Sequence, residues 1–144
     1  VSDVDTPAWE DLDVGHELSP LRLTLSAAQV RQYAEAAHMP GARFFSDDAA
    51  RKEGLPGQIA PGNLSLALFS RLIVTALPGA TLTRLGATFR VPVRPGQPLV
   101  VRGVITEKHC TDHGDLFECD LVIESVEGDR WVTGTASARA PAPR

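Results

Sequence analysis

The feature that most constrains this chain is a change of period near its middle. Residues 63–77 form an almost continuous apolar run in which Leu64, Leu66, Leu68, Phe69, Leu72, Ile73, Val74 and Leu77 leave only a thin polar stripe. That pattern predicts a helix buried nearly all round. It would be about 23 Å long at ~1.5 Å per residue, opened by Pro61-Gly62 and ended by Pro78-Gly79. From Thr81 onward the apolar residues alternate instead, and strands are expected over 82–91, 99–110, 116–126 and 130–140. Turn signals separate them at Pro95-Gly96, at Asp112-His113-Gly114-Asp115 and at Glu127-Gly128-Asp129. Three long strands joined by short turns make an antiparallel meander. One long helix lying on it makes an α+β fold, with the helix's far face open or covered by a partner.

The first half supplies shorter elements. Residues 1–20 have few periodic apolar positions and read as an irregular lead, with Trp9 placed to anchor it; residues 21–25 alternate as a half-buried strand does. Ser26 followed by Gln29 forms a capping box for a helix from Ala27 to about Ala37, which Met39-Pro40-Gly41 stops. A second short helix is expected over 46–53, where Asp47 and Asp48 meet the positive end of the helix dipole. Gly54, Pro56 and Gly57 then force a loop. At 144 residues the chain suits a single domain over 1–144, and a domain of that size buries roughly two-thirds of its unfolded surface.

Composition excludes several classes of function. The net charge is −4 and Lys and Arg are scattered singly, so no basic face is offered to nucleic acid. The apolar run falls short of the ~20 residues of a membrane span and is interrupted by Ser65, Ser70, Arg71 and Thr75. The acidic N-terminus has neither a basic start nor an apolar block, so a cytoplasmic protein is expected. Only Cys110 and Cys119 are present, which implies no disulfide framework. Phosphate-binding loops and the Gly-x-Ser-x-Gly motif are absent, leaving nucleotide binding and serine-hydrolase chemistry unsupported.

Two blocks carry a resemblance. One is QYAEAA followed by FFSDDAARKEGLPGQIAPGNLSLAL; the other is FRVPVRPGQPLVVRGVI, with Pro92 and Pro95-Gly96 shaping a bend. Together they resemble the hot dog fold, specifically the MaoC-like hydratase and dehydratase family. Active members add water to an enoyl thioester, or remove it, without a cofactor. An Asp and, five residues later, a His activate one water there. The positions that match are Met39 and Phe44, and neither side chain can transfer a proton. Pro61 stands where many active members carry a further His. Gly62 is similar to the residue whose N–H polarises the thioester carbonyl, and a helix start suits that role; the same Pro-Gly pair also simply starts a helix.

The likeness is greatest to the non-catalytic subunit of two-subunit (3R)-hydroxyacyl-thioester dehydratases of fatty-acid or polyketide metabolism. In that subunit an aromatic pair followed by acidic residues replaces the dyad, as Phe44-Phe45-Ser46-Asp47-Asp48 does here. The resemblance implies a binding half-site of Phe44, Phe45, Pro61, Gly62 and Asn63 for an acyl-CoA or acyl-carrier-protein thioester. It also implies a partner hot dog chain bearing Asp and His, or otherwise a homodimer, and no metal. Two alternatives stand beside it. One is a self-sufficient homodimeric hydratase or thioesterase that uses His38, Asp47, Asp48 and Asn63 as relocated groups. The other is a non-enzymatic acyl-CoA-binding module.

Other constellations have weaker chemistry. His109, Cys110, Asp112, His113, Asp115 and Cys119 crowd one hairpin, but their spacing matches no common zinc site. A turn centred near His113 would set Cys110 opposite Cys119. Arg84, Arg90, Arg94 and Arg102 are candidates for a phosphate or an acidic carrier patch, although solvated charge is the common state of such residues.

Overall fold

A computed structural model of the chain describes residues 8–142. Five strands, β1 (Leu21–Thr24), β2 (Thr81–Phe89), β3 (Pro98–His109), β4 (Leu116–Ser125) and β5 (Arg130–Arg139), form one antiparallel sheet in the order β1-β3-β4-β5-β2. β3, β4 and β5 are the expected meander. β2 does not join its sequence neighbour β3; it runs to the far edge and pairs with β5, from Thr81 against Arg139 to Phe89 against Val132.

The helices are α1 (Ala27–Ala36), α2 (Asp47–Lys52) and α3 (Gly62–Ala76). The capping box of α1 forms as its sequence predicts: Gln29 N–H donates to Ser26 Oγ at 3.0 Å and Ser26 N–H to Gln29 Oε1 at 2.8 Å. α3 lies across the sheet, its Leu68, Phe69, Leu72 and Ile73 buried in one core with Val101, Ile105, Leu121, Ile123 and Val132. Burial of such side chains is the main driving force for the fold, at about 1.5–3 kcal/mol for each large one. Glycine in β5 permits the close approach. A Cβ on Gly134 would lie 2.8 Å from the Phe69 ring and 2.6 Å from the Gly86 carbonyl oxygen.

Two expectations are corrected. α3 is not buried nearly all round: Asn63, Ala67, Arg71, Val74 and Thr75 are exposed, Val74 by 57%. A single sheet can cover only one side of a helix, however apolar the other side is. The two cysteines do not face each other either. Cys119 pairs with Ile105, whereas Cys110 lies beyond β3, because the hairpin is centred between Asp112 and His113, N-terminal of the midpoint of the two cysteines, with His109 opposite Leu116 and a register shift between Ile105 and Glu107. Burial first, and then the neighbouring Glu118 and Asp120, push the Cys119 thiol up to about 11, so it stays protonated at neutral pH.

The lead is less irregular than its composition suggests. Trp9 packs on Phe117 with ring centroids 6.0 Å apart, Leu12 and Leu18 are buried, and Glu17 bridges to Val104 of β3. Residues 1–7 of that lead lie outside the described residues. Among the described residues no helix is long and apolar enough to cross a membrane.

Candidate functional site

The segment from Tyr33 to Asn63 folds around the N-terminal end of α3, and each local turn has an identifiable cause. α1 ends in a Schellman-type cap: His38 N–H donates to the Glu35 carbonyl at 3.1 Å and Met39 N–H to the Ala34 carbonyl at 2.8 Å. His38 takes the left-handed conformation of that cap, at φ 54°, and is exposed. A tight turn over Ala42–Phe44 follows and drives the Phe44 side chain inward to 5% exposure. Its ring lies against Gly41, where a Cβ would come within 2.9 Å, and the Arg43 guanidinium sits over it, 4.7 Å from the centroid.

Gln58 fastens this wall from behind. It is 3% exposed, and its Nε2 donates to the carbonyls of Phe44 at 2.8 Å and Ala27 at 3.2 Å. Its backbone N–H donates to Asp47 Oδ1 at 2.8 Å. Ile59 and Ala60 then extend between the tight turn and the loop before β3, through bonds to the carbonyls of Arg43 (3.1 Å) and Val93 (2.7 Å). Nothing in the sequence pattern singles out Gln58, since one polar letter between Gly57 and Ile59 reads as loop.

Pro61 is the N-cap of α3 and offers no side-chain cap, so the first-turn amides keep free donor capacity. Beside them lies a cavity of about 380 Å³. Phe44, Ile59, Val91, Val93 and Val132 give it apolar walls, Gly62 and Ser65 line its helix side, and Arg43, Phe89 and Arg90 also border it. Phe89 and Val91 are 53% and 47% exposed, so the rim at the β2 edge is apolar. The Phe89 ring stands so close to Gly62 that a Cβ there would lie 2.9 Å from it.

Of the residues expected to bind substrate, the structure brings Phe44 and Gly62 to this cavity. Phe45 is half-buried, Pro61 is buried as the N-cap and Asn63 is exposed, and none of the three lines it. The relocated candidates are dispersed. Asp47 holds the Gln58 amide, Asp48 is exposed and pairs with Arg51 at 3.5 Å, and His38 caps α1, with no hydrogen bond or ion pair joining them among the described residues. No His, Asp, Glu or Cys lines the cavity. The hairpin donors do not assemble either: among the described residues no group of three or more His, Cys, Asp or Glu is placed to hold a metal ion, and His109 instead meets Glu107 at 3.0 Å.

A second hollow, about 830 Å³ in volume, is an open trough on the opposite face of the sheet. Its charges face one another: Arg102 Nε lies 2.7 Å from Glu124 Oε1, and Asp120, Arg90 and Arg130 share its walls. Size alone would favour it. The smaller cavity is the better candidate, because it joins apolar walls to unmatched donors at a helix start.

A family model described as "MaoC like domain" matches residues 13–123. A curated relative, the mitochondrial 3-hydroxyacyl-[acyl-carrier-protein] dehydratase of Arabidopsis thaliana, is 32% identical over 89 residues, 62% of this chain. The chain spans about half the length of that relative, at 53%. An R-hydratase structure from Pseudomonas aeruginosa superposes with a TM-score of 0.82 at 23% identity, covering 93% of this chain and 85% of that one. A chain of the HadBC (3R-hydroxyacyl-ACP dehydratase) complex from Mycobacterium tuberculosis superposes with a TM-score of 0.71 at 18% identity, covering 87% and 96%. At these identities the two solved structures establish the hot dog fold.

Proposed function

Because the chain belongs to the family of MaoC-like domains, we propose that it is the binding half of an acyl-thioester hydratase or dehydratase, working beside a hot dog chain that carries the catalytic Asp and His. The observation that carries this reading is the cavity at the start of α3, which keeps donors and apolar walls and has no proton-transferring side chain in its lining. Hydration needs a base to activate water and an acid to protonate the α-carbon. Phe44 and Met39 can do neither. The amides at the start of α3 are suited to a thioester carbonyl oxygen, and Phe44, Val91 and Val93 to the acyl chain behind it.

The activities of the relatives support the reaction class and the thioester, and the HadBC complex supports a partnership. A self-sufficient enzyme built on His38, Asp47, Asp48 and Asn63 has less support, since those residues are scattered and two of them hold local structure. The test is co-expression and co-purification with a hot dog chain that carries Asp and His, followed by an enoyl-CoA hydration assay. Activity of the pair and none from this chain alone is the expected result; full activity from this chain alone rejects the proposal.

A further inference from the structure

Arginines that are scattered in the sequence are gathered by the fold at one end of the outer trough. Arg90, Arg102 and Arg130 come from just past β2, from β3 and from the start of β5, and all three line it. The sheet register explains the gathering. Arg130 is the cross-strand partner of Glu124, and Arg102 reaches the same carboxylate at 2.7 Å. The Arg90 N–H donates to the Trp131 carbonyl at 2.9 Å, which sets its backbone beside that of Arg130. Three guanidiniums thus meet one carboxylate. Among the described residues neither Arg90 nor Arg130 has an ion pair, and Asp129, next to Arg130 in the chain, bonds with Ser125 instead at 3.4 Å. The remaining acids of the trough, Glu17 and Asp120, lie at its other end, where both face Val104. Asp120 is four residues along β4 from Glu124, about 13 Å at ~3.3 Å per residue. That exceeds the ~8 Å over which exposed charges are felt at physiological salt, so the basic end is left uncompensated.

The place of Arg90 says what that charge meets. Arg90 lines both hollows, so the basic end of the trough adjoins the cavity at the start of α3. An acyl thioester seated in that cavity leaves it by a flexible pantetheine arm that ends in phosphate, on CoA and on a carrier protein alike. Guanidinium groups suit phosphate oxygens better than any other side chain does, through paired charge-assisted hydrogen bonds. We infer that Arg90 and Arg130 form an anion site, outside the acyl cavity, for phosphate on the arm of the thioester, while Arg102 stays with Glu124. This rests on the thioester reading of the cavity. It implies that this chain selects its ligand by the handle as well as by the acyl group.

The experiment is a calorimetric titration of the full chain, alone and with its co-purified partner, using butyryl-pantetheine, butyryl-phosphopantetheine and butyryl-CoA at low and high salt. Parent, Arg90→Ala, Arg130→Ala and Arg102→Ala proteins are compared. All three arginines are exposed, so each variant should keep the thermal midpoint of the parent to within a few degrees. Two exposed charge-assisted contacts predict that the parent prefers the phosphorylated ligands about 10-fold at low salt, and less at high salt. Arg90→Ala and Arg130→Ala should each lose most of that preference and leave butyryl-pantetheine affinity unchanged, and Arg102→Ala should keep it to within about twofold. A preference already complete with butyryl-phosphopantetheine assigns the phosphate that CoA and a carrier-protein arm share; one that appears only with butyryl-CoA assigns the nucleotide phosphates. A parent that binds butyryl-pantetheine as tightly as the other two, or a preference that survives in both Arg90→Ala and Arg130→Ala, overturns the inference and leaves the thioester reading standing. If no ligand binds the parent in either form, the thioester reading falls and this inference falls with it.

Discussion

The two hollows of the molecule differ in what their polar groups do. In the trough on the outer sheet face the polar groups are mainly charges of both signs, and two of them, Arg102 and Glu124, pair at 2.7 Å. Around the start of α3 the polar groups are first-turn amides that no side chain caps. The trough is the larger, at about 830 Å³ against about 380 Å³. Unmatched polarity next to apolar walls therefore identifies the site better than volume does.

The largest effect should come from returning the missing acid and base to positions 39 and 44, the second of which lines the smaller cavity. The double substitution Met39→Asp with Phe44→His should raise enoyl-CoA hydration by the purified chain about 10²-fold or more, within the 10²–10⁴ range of a positioned acid–base pair. An unchanged rate from a folded double variant would break the equation of this cavity with a hydratase site. An intermediate effect is expected at Gln58, whose side chain satisfies two carbonyls behind the cavity wall. Gln58→Ala should cost about 1–3 kcal/mol in denaturant unfolding, because those carbonyls lose their partners inside the protein. The smallest effect belongs to the trough. Arg102→Ala should change stability by about 0.2–1 kcal/mol and leave thioester affinity unaltered, since its pair is partly exposed and screened by salt. A large loss of affinity there would reverse the comparison.

Legibility in the sequence follows the same division. Ser26 and Gln29 announced the start of α1, and alternation placed β3, β4 and β5 within about two residues, because caps and periods are local. The pairing of β2 with β5 was not legible: alternation says which side chains share a face, and not which strand lies alongside. Nor was the exposed stripe of α3, since an apolar residue such as Val74 reads as buried whether or not anything covers it. Within the site, the absence of Asp and His at Met39 and Phe44 could be read directly. Gln58 could not, because it is an isolated polar letter whose role depends on what the fold brings against it. His38 was hidden differently, in a left-handed cap usually held by Gly or Asn.

The central claim is that this chain binds an acyl thioester and leaves proton transfer to a partner. The most direct measurement is the initial rate of crotonyl-CoA hydration by the purified chain, by a hot dog chain bearing Asp and His, and by the two together. The account predicts no rate above the uncatalysed one from this chain and a mixture faster than the Asp- and His-bearing chain alone. A chain that hydrates crotonyl-CoA by itself as fast as the mixture would contradict it.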